Sequence, residues 1–319
     1  MDNTIFQDWL SAVEMLTEAQ KAEARNVLAG RPYNEAALAA IELGVDENRR
    51  CPHCGSPGAV LRGKPRGLRR YKCKGCGKTF DARTGTPLSG LHYKERSLEF
   101  GKSLAKGETV KASAERCGIS VSTAFRWRHR FLKAASDSAV KLGGIVEADE
   151  TYFLESRKGD RNLDREARRR GGKAKKRGLS HEQAPVLVAA DRNGATFSAV
   201  LPAVSATALR NALEPVLKKD TLLVTDGGTS YPPCAAALDI SHEVLNLSLG
   251  ERIRGELHIQ TVNSRHGQLK DFLRRHRGVA TKYLGSYLRW FHMIVLDRQP
   301  NQRKCLAAAM SRKSIQFDN

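Results

Sequence analysis

The chain has 319 residues, enough for two or three domains and one sizeable core. Its 54 Lys and Arg outnumber 34 Asp and Glu, and the net charge of +20 points to a polyanion partner, most simply nucleic acid. No apolar run approaches the roughly 18 residues of a membrane span, and the first ten residues are acidic rather than a basic signal region, so a cytoplasmic, nucleoid-associated protein is expected.

From Thr4 to Ala29, Ile5, Trp9, Leu10, Val13, Leu16 and Ala19 recur at helical spacing, with Asn3 or Thr4 to cap the helix and Gly30 with Pro32 to end it. A second short helix is expected from Asn34 to Leu43. Residues 1–45 thus form an N-terminal helical segment without evident chemistry, suited to packing on the next module or to self-association. Seven cysteines, four of them in two CxxC pairs, argue for metal over a disulfide framework. Cys51, Cys54, Cys73 and Cys76 form C-x2-C-x18-C-x2-C, the spacing of a structural Zn²⁺ site in a ribbon over 46–90. Ala59–Arg62 and Leu68–Cys73 can pair around Gly67. Arg62, Lys64, Arg66, Arg69, Arg70, Lys72, Lys74 and Lys78 crowd this module, either against phosphate or as a solvated face.

Over 91–140 the pattern is that of a helix-turn-helix. Val110, Ala114 and Cys117 share one helical face, Gly118 makes a turn, and Ser122 opens a second helix with Thr123, Arg126, Trp127 and Arg130 on or near its surface. Ser122, Thr123, Arg126 and Arg130 are the candidate DNA contacts: the helix N-terminus can hold a phosphate while the arginines face a groove. Short glycine-containing turns also occur in ordinary helical bundles.

Over 141–300, Ile145, Val146 and Ala148 lead into Asp149, and Leu222, Leu223 and Val224 lead into Asp226. Short apolar runs suit a sheet buried on both faces, where functional groups gather beyond the carboxyl ends of the strands. Either aspartate alone could be a turn former or cap. Two strand-end carboxylates with a polar residue from the helical stretch Thr261–Lys270 suggest a divalent-metal site, since Mg²⁺ needs only one or two carboxylates plus substrate phosphates. Between them, Arg157–Arg177 holds eleven Lys or Arg and almost no apolar residue. It is expected to project from the sheet, with Arg168, Arg169 and Arg170 as candidate DNA contacts. Strands at Pro185–Ala190 and Thr196–Leu201, a helix at Ser205–Leu217, the strand Thr221–Thr225, a helix at Tyr231–Leu238, a strand at Glu243–Asn246 and helices at Thr261–Arg275 and Val279–Leu296 complete the series. That order predicts a ribonuclease-H-like α/β domain with a mixed sheet, its first and fourth strands adjacent, within a multidomain α+β chain ending in a tail over 301–319.

VEADETYF around Asp149, VTDG around Asp226, QTVNSRHGQLK and RTGTPLSGLHYK together carry a resemblance. From about Cys51 to Arg298 the chain resembles the bacterial insertion-sequence transposases that join a zinc ribbon, a helix-turn-helix and a ribonuclease-H-like DDE domain. Within them it is similar to the DDNK subgroup. The resemblance implies that Asp149, Asp226 and Asn263 hold two Mg²⁺ ions, and that Lys270, two helical turns beyond Asn263, grips a phosphate. It further implies a homodimer or higher oligomer acting on terminal inverted repeats and target DNA, with water cutting a transposon end and the freed 3′-hydroxyl attacking the target. The chain departs from relatives with Glu in the third position and a tryptophan-containing patch after it, here SRHGQL. Asn offers a weaker ligand, which leaves Glu256, His258 and His266 as rivals. A DNA-binding regulator with an inactive transposase-like domain, or a nuclease without strand transfer, are the alternative readings.

Overall fold

The computed structural model describes residues 2–16, 33–43, 45, 49–134, 140–168, 172, 174–176, 180–246, 249–296, 305–306 and 309–310. They fall into two compact units, one of Met1–Leu104, Ala112–Ala124 and Asn301–Asn319, the other of Ala105–Lys111 and Phe125–Pro300.

In the first unit, helix α1 (Asn3–Glu14) is capped by Asp2, whose carboxylate accepts from the Thr4 N–H at 3.3 Å, rather than by Asn3 or Thr4. The remainder of the expected helix, over 17–29, lies outside the described residues. Helix α2 (Tyr33–Glu42) buries Ala37 and Ile41, and its Glu42 accepts from the Arg69 N–H at 2.6 Å and pairs with the Arg69 guanidinium. The ribbon follows as β1 (Val60–Leu61), β2 (Tyr71–Lys72) and β3 (Thr79–Phe80), an antiparallel sheet in that order. The first pair is the expected hairpin. The third strand is an addition. Its core is Cys51, Ala59, Tyr71, Cys73 and Phe80, with the Tyr71 and Phe80 rings stacked at 5.5 Å.

Helices α3 (Ser97–Ala105), α4 (Val110–Cys117) and α5 (Val121–Ala134) supply the helix-turn-helix. Gly118, at φ +59°, ends α4, and the Ile119 N–H closes back on the Ala114 carbonyl at 3.0 Å. The cap of α5 is Ser120 rather than Ser122: its hydroxyl accepts from the Thr123 N–H at 3.2 Å. Trp127, placed near the surface by its spacing, is buried at 2% exposure and stacks on Phe131. Its neighbour Arg128 is fully buried with its guanidinium over the Trp290 ring at 4.6 Å. This part of α5 is core of the second unit, and the gain from burying an indole outweighs the polar character of the flanking sequence.

That unit is built on a five-stranded sheet of β4 (Ile145–Leu154), β5 (Gln183–Asp191), β6 (Thr196–Val200), β7 (Leu222–Thr225) and β8 (Ser241–Val244), in the order β6-β5-β4-β7-β8. β4 runs antiparallel to β5 and parallel to β7, and β7 parallel to β8. First and fourth strands are therefore adjacent, as in a ribonuclease-H-like domain. One face packs Val146, Ala148, Leu187 and Leu223 against α6 (Ala206–Leu213) and α7 (Tyr231–Leu238). A short hairpin, β9 (Ile253–Arg254) with β10 (Leu257–His258), precedes α8 (Gln260–Arg275), which packs on β4 and β5. The last expected helix divides into a 3₁₀ turn Thr281–Tyr283, α9 (Leu284–Phe291) and a π-helical turn His292–Leu296. Among the described residues no helix is long and apolar enough to cross a membrane.

One expectation is corrected by the sheet. Asp149 does not end its strand, because the antiparallel ladder with β5 carries β4 on to Leu154, with Asp149 opposite Val188. On the parallel side β7 stops at Thr225, so Asp149 stands just past the end of that ladder.

Candidate active site

The β4–β7 register sets Glu147 opposite Val224, and continuing it sets Asp149 opposite Asp226. Asp149 Oδ1 accepts from the Glu150 N–H at 2.8 Å, and Asp226 Oδ1 from the Gly228 N–H at 3.3 Å. Gly227 makes the turn: it sits at φ +89°, and a Cβ there would meet Val244 at 2.8 Å. Burial, followed by the negative charge of Asp226, pushes the Asp149 carboxyl up to about 7, while Lys270 draws it down. Glu150, raised by burial first, accepts from the Tyr231 hydroxyl at 2.6 Å. A buried carboxylate set beside the charge of Asp226 is a donor pair that a hard divalent cation would relieve.

Helix α8 supplies the other wall. Asn263 is exposed in its first turn. One turn on, His266 is buried with Nδ1 3.8 Å from Asp149 Oδ2. Lys270 follows one turn later, exposed, and close enough for its charge to act on both Asp149 and His266. His266 is pushed down to about 4 by burial first and Lys270 second, so a neutral imidazole faces Asp149. Of the rival ligands, His266 stays beside Asp149, whereas His258 and Glu256 are engaged elsewhere. His258 lies 3.3 Å from Glu147, and Glu256 is exposed at the β9–β10 turn, its carbonyl accepting from Arg192 at 3.0 Å. Sequence reasoning singled out neither Glu150 with Tyr231 nor Glu147 with Arg192. The only signal was charge repeating at period two within VEADET, which puts Glu147 and Asp149 on one strand face.

In the ribbon, the Cys51, Cys54, Cys73 and Cys76 sulfurs all lie within 4.8 Å of one another. The Cys51–Cys76 and Cys54–Cys73 separations are 3.7 and 3.6 Å. A tetrahedron with metal–sulfur bonds of about 2.3 Å has edges of about 3.8 Å. The His53 N–H lies 3.4 Å from the Cys51 sulfur and the Cys76 N–H 3.4 Å from the Cys73 sulfur, the amide donors that knuckle turns offer to thiolates. The set could hold a metal ion.

Of the candidate DNA contacts, Ser122, Arg126 and Arg130 are exposed and Thr123 is half-buried. Arg168 is turned inward: its guanidinium donates to the Glu155 carbonyl at 2.5 Å and lies 3.8 Å from the Glu182 carboxylate. Arg169 and Arg170 lie outside the described residues.

The model of the ISXO2-like transposase domain matches residues 141–292, and that of a homeodomain-like domain matches 98–140. A Halobacterium salinarum protein described as an uncharacterized protein in transposable element ISH50 is 31% identical over 248 residues, covering 76% of this chain and 84% of that protein. The chain belongs to the insertion-sequence DDE transposases. The matched transposase domain contains Asp149, Asp226, Asn263 and Lys270. Among solved structures the transposase resembles a pre-cleavage Mos1 transpososome, 14% identical over 64% of this chain and 75% of that one, with a TM-score of 0.19. It also resembles the Mos1 strand transfer complex, 13% identical over 66% and 75%, with a TM-score of 0.22. Superpositions this loose align no individual residue.

Proposed function

We propose that this transposase cuts the ends of its element and joins them to target DNA by two-metal phosphoryl transfer, with Asp149, Asp226 and Asn263 as metal ligands. The observation that carries the reading is the parallel β4–β7 pairing, which sets Asp149 level with Asp226 and makes the buried Asp149 carboxylate costly without a cation. Bound Mg²⁺ supplies activation of water or a 3′-hydroxyl and neutralises charge developing on the phosphate. Asp149 and Asp226 hold the ions with their carboxylates, and Asn263 adds an amide oxygen from the opposite wall. His266, neutral, borders Asp149 without competing for its charge. Lys270 holds a phosphate of the bound strand as a point charge. The four ribbon thiolates take one structural Zn²⁺ and leave no open position, so that module supports binding rather than chemistry. Terminal inverted repeats and target DNA are the partners, the enzyme acts as a homodimer or higher oligomer on them, and it resides in the cytoplasm with the nucleoid. Ser122, Thr123, Arg126 and Arg130 contribute the contacts of the helix-turn-helix.

The test is incubation of the full chain with DNA carrying the element's flanking repeats, with and without Mg²⁺, scored for cut and joined products. Joined products are expected from the parent, and none from Asp149→Ala or Asp226→Ala at unchanged DNA affinity. Asn263→Ala should lose most activity, whereas Asn263→Asp should keep or raise it, since a carboxylate fills the same place with more charge. Parent-like cleavage by Asn263→Ala together with a dead Glu256→Ala would move the third ligand to Glu256. Cleavage without joining would identify a nuclease, and binding without cleavage a regulator.

A further inference from the structure

Glu147 lies two residues before Asp149 on the same face of β4 and is fully buried. A carboxylate taken out of water persists only where it is paired and hydrogen-bonded. Its Oε1 pairs with the Arg192 guanidinium, from the β5–β6 turn, and lies 3.3 Å from His258 Nδ1. Its Oε2 accepts the backbone N–H of Val262 at 3.0 Å. Val262 is the third residue of α8 and the immediate neighbour of Asn263.

The N-cap residue of α8, Ile259, offers no side-chain acceptor where Ser, Thr or Asp would ordinarily accept from the first turn. Distant Glu147 and neighbouring His258 take that role. Glu147 receives the Val262 N–H, and His258 Nδ1 receives the Gln260 N–H at 3.3 Å. Arg192 ties the same region further, donating to the carbonyls of Glu256 at 3.0 Å and His258 at 3.4 Å and lying 3.4 Å from Thr261 Oγ1. One buried carboxylate therefore joins β4, the β5–β6 turn, β10 and the start of α8.

We propose that Glu147, held by Arg192, is a positioning residue of the active site, fixing the first turn of α8 and with it Asn263 against the strand that carries Asp149. The inference rests on Asp149, Asp226 and Asn263 being the metal-binding set. Any local cap would satisfy the helix amides, but only one anchored on β4 sets the height and rotation of α8 relative to Asp149. A rotation of one residue turns a helical side chain by about 100°, enough to take Asn263 out of the site. Glu147 acts through Val262, because both of its oxygens are already engaged by protein groups.

The test uses the full chain and Fe²⁺ in place of Mg²⁺. Ascorbate and peroxide then cut the polypeptide near the bound ion, and the cuts are mapped by mass spectrometry. Cuts near Asp149, Asp226 and Asn263 are expected in the parent. Glu147→Gln should keep the first two and lose the third, with DNA strand cleavage down by about 10–100-fold. Its melting temperature should fall with the loss of the ion pair, but well below that temperature its DNA affinity should match the parent while the cuts near Asn263 stay lost, a selective effect that general loosening would not give. Where Glu147→Gln fails to fold, the double variant Glu147→Met with Arg192→Met removes the buried carboxylate together with the partly exposed guanidinium that pairs with it, so no buried charge is left unpaired, and the same loss near Asn263 is expected. Retention of all three cuts in a folded variant overturns the positioning role and leaves the metal site standing. Absence of cuts near Asp149 and Asp226 in the parent removes the metal site itself, and this inference with it.

Discussion

His129, His266 and His276 are each pushed down to about 4, in every case by burial first. The second cause differs: Arg128 for His129 and His276, Lys270 for His266. His276 sits among aromatic rings, its centroid 4.7 Å from that of Trp290 and 5.0 Å from that of Phe272. An unfolded histidine titrates near 6.5, so between about 6.5 and 4 the unfolded chain binds more protons than the folded one. Stability from these groups is therefore complete above 6.5 and lost as pH falls towards 4. Asp149 runs the other way. Its contribution is present below about 4 and lost as pH rises through about 7. Because the two slopes oppose each other, the histidine effect is best read as a difference between variants. His276→Phe, which keeps the ring and removes the titration, should raise the melting temperature at pH 5 by roughly 2–4 °C and leave it nearly unchanged at pH 7.5. An equal shift at both pH values would mean that packing, not protonation, sets the effect. At this scale the strands leading into Asp149 and Asp226 were legible, because an apolar run before an aspartate is a local pattern. Glu147 was not, since a glutamate within a strand reads as solvent-facing and its partners Arg192 and Val262 lie 45 and 115 residues away.

Elements were legible in proportion to their length and periodicity. Helix α7 begins and ends where its Pro pair and apolar run place it, and α8 starts one residue from its expected position. The two-residue strands β3, β9 and β10 carry no period at all, and only long-range pairing reveals them. β4 was cut short at Asp149 because its later residues, Glu150 to Tyr152, look polar. Their ladder with β5 is what keeps them extended. The ribbon is the opposite case: cysteine spacing alone specified a site whose four sulfurs converge. Its apolar core is small, centred on Tyr71 and Phe80, so metal binding should supply much of its folding free energy. Natively purified protein should contain one Zn²⁺ per chain by elemental analysis. Cys76→Ser should release it and make the ribbon, over 46–90, the first segment attacked by protease, while the β4–β8 sheet stays resistant. A parent protein without zinc would end this reading of the ribbon.

Over the whole molecule, the 54 Lys and Arg overstate the cations available to a polyanion, because several are already matched from within. Arg192 is paired with buried Glu147, Arg254 with Glu243 and Glu251, and Arg168 reaches toward Glu155 and Glu182. Counterion release counts only cations that neutralise phosphate, at about 0.9 of a unit in the log–log salt slope per contact on duplex DNA. Arg126 is exposed on α5 within the matched homeodomain-like segment. Arg126→Ala should therefore lower the slope by about one unit and reduce the preference for terminal repeats over random duplex, measured by fluorescence anisotropy from roughly 50 to 200 mM salt. Arg168→Ala should leave slope and preference close to the parent, because its guanidinium serves the Glu155 carbonyl and Glu182 rather than phosphate. If Arg168→Ala instead lowers the slope as much as Arg126→Ala on both duplexes, its ion pairs open on DNA and the basic stretch after β4 is a phosphate contact. If Arg126→Ala changes neither quantity, the end-reading surface lies elsewhere than on α5.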